Sequence, residues 1–174
     1  MRAFLAIPVP EALAAVLDPL TDLPNTRAVD TPHLTLHFLG EVRDAVLAEA
    51  WEDVATLPLR PVTLTLGALD TLASGAVVVH VVPEPALIDL HDALARRLRQ
   101  AGLDLPRRRF RPHITVARHG TLTGAEAERL ASALGRAARP VGQAAAERLV
   151  LYQSLLRPDG AEYHELDDLD FPQD

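Results

Sequence analysis

The chain contains no cysteine, which excludes disulfide staples, thiolate metal sites and a cysteine nucleophile together. It contains no lysine either. All 17 basic residues are arginine, a choice that carries no functional weight by itself. No stretch approaches the roughly 18 to 20 consecutive apolar residues needed to cross a bilayer, and the opening Met1-Arg2-Ala3-Phe4-Leu5-Ala6-Ile7-Pro8 is too short for a signal sequence. A cytoplasmic protein with no membrane partner is therefore expected. Two further absences narrow the chemistry. There is no G-x-G-x-x-G dinucleotide signature, and no compact ligand cluster of the H-E-x-x-H kind, so neither a cofactor nor a metal is expected.

What is present suffices for an ordinary globular fold: 174 residues, 48% hydrophobic and 24% charged, can form one sizeable core or two small lobes with a shared interface. The net charge of −7 argues against coating nucleic acid through bulk electrostatics. The charge is unevenly spread, however. Arg96 to Arg118 holds eight arginines and one acid, Asp104, so this segment carries +7 and the rest −14. A local basic surface on an acidic protein suits a phosphorylated ligand better than a long duplex.

Patterning predicts a buried strand over 2–7, stopped by Pro8 and Pro10, and a helix over 11–17. Residues 21–31 read as a loop. A strand over 33–39 ends at Gly40, and a helix over 41–57 ends at Pro58 and Pro61. Residues 62–72 and 76–82 form a predicted hairpin, followed by an amphipathic helix over 85–101 ended by Gly102. After the arginine loop come a strand over 113–117 and a helix over 124–136. Strands over 147–156 and 161–166 flank the turn Arg157-Pro158-Asp159-Gly160. The acidic tail after Leu166 is expected to fray. This order describes an α+β chain with mostly antiparallel pairing.

One phrase occurs twice. Pro32-His33-Leu34-Thr35-Leu36 and Pro112-His113-Ile114-Thr115-Val116 lie 80 residues apart, each before a helix, as two duplicated halves facing each other would place them. Residues i and i+2 of a strand share a face, so His33 projects with Thr35 and His113 with Thr115, while Leu34, Leu36, Ile114 and Val116 anchor the opposite face. Packed about a pseudo-twofold axis, the strands bring two imidazoles and two hydroxyls to one cleft. That set suits the opening of a cyclic phosphodiester. In-line attack on phosphorus needs a base beside the incoming water and an acid beside the departing alkoxide, and histidine serves both near neutrality. Threonine hydroxyls and a guanidinium can hold the non-bridging oxygens.

Further positions are assigned around these four residues. His37 shares the His33 face under strict alternation and is placed at the cleft rim. Arg111 belongs to the charge run before His113 and is assigned toward phosphate. Phe110, one of four phenylalanines, is assigned to stacking at the cleft edge. Strict alternation points Arg118 away from the His113 face, so a role in the cleft requires the strand to bend or end there. His80, His91, His119 and His164 read as solvated or structural.

At these residues the sequence resembles the bacterial and archaeal RNA 2',3'-cyclic phosphodiesterases, historically called 2'-5' RNA ligases, of the two-histidine phosphoesterase superfamily. The matching phrases are Arg2 to Ile7, His33-Leu34-Thr35-Leu36-His37-Phe38-Leu39-Gly40, Phe110 to Arg118, and Leu149 to Ser154 with Gly160 to Leu166. The resemblance implies a bilobal α+β fold across residues 1–174, two pseudo-symmetric lobes around a central cleft with helices outside. It implies hydrolysis of a terminal 2',3'-cyclic phosphate on RNA to a 2'-phosphomonoester; cyclic nucleotides are a further expected substrate, and a monomer is expected. In family terms His33 would be the proton donor and His113 the proton acceptor, with Thr35, Thr115 and Arg118 holding the phosphate. The family often carries Lys where this chain has His37. Reversible 2'-5' ligation of RNA ends and non-catalytic binding of RNA ends or phosphate are the rival readings.

Overall fold

The computed structural model describes all residues from Met1 to Asp174. Nine strands join in one sheet whose pairings are all antiparallel. In chain order they are β1 (Arg2–Pro8), β2 (Arg27–Ala28), β3 (His33–Glu41), β4 (Thr63–Thr71), β5 (Ala76–Val81), β6 (His113–Arg118), β7 (Gln143–Ala145), β8 (Arg148–Arg157) and β9 (Gly160–Asp170). The helices are α1 (Glu11–Leu17), α2 (Asp44–Ala55), α3 (Pro85–Gln100) and α4 (Gly124–Arg136), with a 3-10 turn at Asp18–Thr21. Across the sheet the order is β7-β4-β5-β6-β3-β1-β8-β9, with β2 paired to the end of β6. The two strands that begin with the repeated phrase, β6 and β3, are thus the central pair, with three strands outside each.

Alternation in β1 shows how this sheet divides its faces. Ala3, Leu5 and Ile7 enter the main core of 34 buried residues, whereas Phe4 and Ala6 join Val150 and Tyr152 in a small cluster on the other face. The main core is closed by helices whose apolar residues recur at three- and four-residue steps: Leu47, Ala50, Trp51 and Val54 of α2, and Leu87, Leu90, Leu94 and Leu98 of α3. Leu34 and Ile114, the middle residues of the two motifs, are fully buried in it and stand opposite each other in the β3–β6 register. The α4 helix begins at a capping box between Thr123 and Glu126 and buries only Leu130.

Three expectations are corrected. The strand over 33–39 continues through Gly40, at φ +69°, to Glu41, because a bulge lets β1 pass from Phe4 opposite Phe38 to Ala3 opposite Gly40; α2 therefore starts at Asp44. The loop over 21–31 contains β2. The tail does not fray at Leu166: β9 runs to Asp170, Trp51 donates its indole N–H to Asp167 at 2.8 Å, and Phe171 is buried with its amide donating to the Glu147 carbonyl at 3.0 Å. Two of its acids, Asp167 and Asp168, meet Trp51 and Arg148 within that strand, a contribution that composition does not reveal.

Candidate active site

Each motif histidine is held in the same way. The rigid Thr31-Pro32 and Arg111-Pro112 steps lead into the strands, and the carbonyls of Pro32 and Pro112 accept from Val9 and Val81 of the neighbouring chain segments at 3.1 and 2.9 Å. His33 Nδ1 lies 2.8 Å from the Thr31 carbonyl and His113 Nδ1 lies 2.8 Å from the Arg111 carbonyl. A carbonyl can only accept, so Nδ1 carries the proton in both rings and Nε2 is left to take or give one.

The antiparallel register pairing Leu34 with Ile114 sets His33 across from Thr115 and Thr35 across from His113. The imidazoles are then diagonal neighbours, about 7 to 8 Å apart at the backbone. All four side chains are half-buried on the face away from the main core.

After each H-x-T the strand carries one extra residue. On β3 the pairing with β1 passes from Ala6 opposite Thr35 to Leu5 opposite His37, skipping Leu36. On β6 the pairing with β5 passes from Val78 opposite Thr115 to Val77 opposite Ala117, skipping Val116. A bulge reverses the parity of every later residue in its strand. His37 and Ala117 therefore face the core side, and Phe38 and Arg118 face the cleft.

This corrects the rim assignment of His37. Its ring is buried, its Nε2–H donates 2.8 Å to the His91 carbonyl, and it stacks on the His91 ring at 4.1 Å. Burial lowers its pKa to about 4, the neighbouring charges of His91 and Arg99 adding to the shift while the His91 carbonyl and Asp92 oppose it. Phe110 is corrected as well: it stacks on His91 at 3.9 Å and packs against the main core, so it ties the arginine loop to α3 instead of lining the cleft. Arg111 contributes its carbonyl to His113 and leaves its side chain exposed.

Arg118 reaches the cleft by the route that the bulge opens. Burial lowers the pKa of His33; the Thr31 carbonyl opposes this, and the charges of Arg118 and His113 lower it further. The charged groups acting on His33 are thus both cationic, as expected of a site for an anion.

The cleft also holds residues that the motifs do not announce. Phe4 stacks on Tyr152 at 5.0 Å and lies 5.1 Å from His33 and 6.0 Å from Phe38, while Tyr163 meets His33 edge-on at 5.3 Å. Phe38 is 60% exposed, which leaves its ring free for a ligand. On the other side His80 stands opposite His113, ring centres 6.5 Å apart, and its Nε2–H donates to Asp70 at 3.0 Å, holding that carboxyl below its usual range. One signal could have found Phe38: it sits five residues after His33, as Arg118 does after His113. Two recesses of about 550 and 450 Å³, beside β4 and between α1 and α4, contain none of the motif residues.

Two H-x-T strands meeting at the centre of an antiparallel sheet, each imidazole locked through Nδ1, define the class of two-histidine phosphoesterases. A sequence model of the 2'-5' RNA ligase superfamily matches residues 9–157, and the chain belongs to that superfamily. None of the curated proteins matches it closely enough in sequence to be counted. Among solved structures, one described only as a phosphoesterase is 24% identical with a TM-score of 0.78, over 99% of this chain and 98% of that one. LigT of E. coli in its apo form is 24% identical with a TM-score of 0.75 over the same shares, and TT0787 of Thermus thermophilus is 22% identical with a TM-score of 0.75 over 98% of each chain. These likenesses establish the α+β two-histidine phosphoesterase fold.

Proposed function

We propose that this protein hydrolyses the 2',3'-cyclic phosphate at an RNA end to a 2'-phosphomonoester, with His33 and His113 as acid and base. The observation that carries the reading is the matched pair of Nδ1 locks, which leaves Nε2 of both histidines open for proton transfer on one face of the central strand pair, with the charge of Arg118 acting on His33. E. coli LigT, which shares the fold, has been solved in complex with 3'-AMP.

In the proposed reaction His113 Nε2 takes a proton from water as the water oxygen bonds to phosphorus. The P–O3' bond breaks on the opposite side, and His33 Nε2 gives its proton to O3'. Thr35, Thr115 and Arg118 hold the non-bridging oxygens as charge builds on them. No metal is needed by this chemistry. The four central residues are nearly symmetric, so the division into acid and base rests on the family resemblance. His33 favours the neutral form in the free protein, and a bound phosphodiester anion raises its pKa toward the protonated form an acid requires.

The test is turnover of 2',3'-cyclic AMP and of a cyclic-phosphate-ended oligonucleotide in EDTA, with the product phosphate located by phosphorus NMR. His33→Ala and His113→Ala are each expected to lower the rate by about a hundredfold or more. Near-normal rates in both variants would end the assignment. The superfamily's name favours a second reading, in which a 5'-hydroxyl replaces water and a 2'-5' linkage forms; supplying 5'-hydroxyl RNA and scoring joined product against hydrolysed product separates the two.

A further inference from the structure

Arg27 lies outside both motifs yet belongs to their surface. Strand β2 pairs with the end of β6 and sets Arg27 directly opposite Arg118. Directly paired residues on neighbouring strands project from the same face, so both guanidiniums stand on the cleft side, at the end nearest His33 and Thr115. Two like charges in direct opposition oppose folding unless something offsets them. Arg27 finds no carboxylate there. Its guanidinium donates to the backbone carbonyl of Asp159, in the turn of the β8–β9 hairpin, which comes from the other half of the sheet and curls across the cleft. A neutral carbonyl leaves the positive charge uncompensated and available to an anion.

The far end of the cleft differs. The place that Arg118 takes in β6 is taken in β3 by Phe38, beside Phe4. A nearly symmetric centre therefore has an arginine on one strand where the other strand has a phenylalanine, and this difference distinguishes the two directions in which a ligand could lie. A cyclic phosphate is served by the two threonines and Arg118. A second guanidinium, one strand spacing of about 4.8 Å beside Arg118 and on a long flexible stem, exceeds what a single phosphate requires and suits the next phosphate of a chain.

We propose that Arg27 is a second phosphate-binding residue, which takes the phosphodiester adjacent to the cyclic phosphate and so selects polynucleotide ends over cyclic mononucleotides. The proposal rests on the phosphodiesterase reading and adds to it the residue that distinguishes a polynucleotide end from a cyclic mononucleotide.

The experiment compares kcat/KM on a trinucleotide ending in a 2',3'-cyclic phosphate with kcat/KM on 2',3'-cyclic AMP, for the unmodified protein, Arg27→Ala and Arg27→Lys. A lost charge-assisted contact predicts that Arg27→Ala reduces the preference for the trinucleotide by about tenfold or more, chiefly through KM. The slope of log kcat/KM against log salt on the trinucleotide should shrink by about 0.7, one single-strand phosphate contact. Arg27→Lys, which keeps the charge, should recover part of the preference.

Equal losses on both substrates in Arg27→Ala, or an unchanged salt slope, would each overturn the proposal. If the unmodified protein turned over neither substrate, the phosphodiesterase reading would fall. Calorimetric binding of a 3'-phosphorylated trinucleotide against 3'-AMP would still decide the role of Arg27: a preference lost in Arg27→Ala supports it, and one that persists refutes it.

Discussion

Acidification provides a direct test of the ring stack behind the site. His37 is 8% exposed, donates to the His91 carbonyl and stacks on His91, which stacks in turn on Phe110. Its pKa is about 4 in the folded protein, against about 6.5 for a free imidazole. Between those values the unfolded chain binds a proton that the folded chain does not, so stability rises with pH through that window. The contribution is complete above 6.5 and is lost as pH falls toward 4. The difference in pKa corresponds to on the order of 3 kcal/mol, a large share of the stability of a chain this size. Burial also lowers the pKa values of His91 and His33, so they act in the same direction. The share of His37 must therefore be read as a difference from a variant. Urea unfolding at intervals from pH 7 to 4 should show the unmodified protein losing about 3 kcal/mol more than His37→Phe, which keeps a ring against His91 and cannot titrate. Parallel curves for the two proteins would refute the reasoning.

Two further outcomes are expected from the same geometry. Proton NMR of the His33 ring should give a pKa below 6.5 in the free protein that rises when inorganic phosphate is added, and by linkage phosphate should bind more tightly as pH falls through that pKa; no movement on saturation would show that His33 does not face the anion. Leu34→Ala empties a fully buried position in the central strand pair, next to Ile114, and should cost about 2 to 5 kcal/mol of stability by denaturant titration, whereas a loss below about 1 kcal/mol would mean that the two halves do not meet there.

Much of this protein was legible along the chain, for identifiable reasons. The helix over 124–136 and the 76–81 strand arise from apolar spacing and turn residues that act within a few positions. The pairing of His33 with Thr35 and of His113 with Thr115 on shared faces comes from two-residue periodicity, because each motif lies ahead of its bulge. The duplicated Pro-His-x-Thr phrase marked the strands that become the centre of the sheet.

Tertiary structure decided the rest. Periodicity carries a side chain to the correct face only while a strand pairs residue for residue, and the extra residue at Leu36 and at Val116 arises from registers with β1 and β5, segments remote in sequence. That one insertion sends His37 behind the sheet, brings Phe38 forward, and gives Arg118 the cleft that strict alternation denied it. Phe110 became a core residue because α3 offered the His91 ring at stacking distance, and Arg27 entered the site through a two-residue strand too short for any pattern to announce. The sequence determined which groups the chain possesses and the local shape of each segment. Only the pairing of distant strands, which sets parity and proximity, decided which of those groups share a cleft.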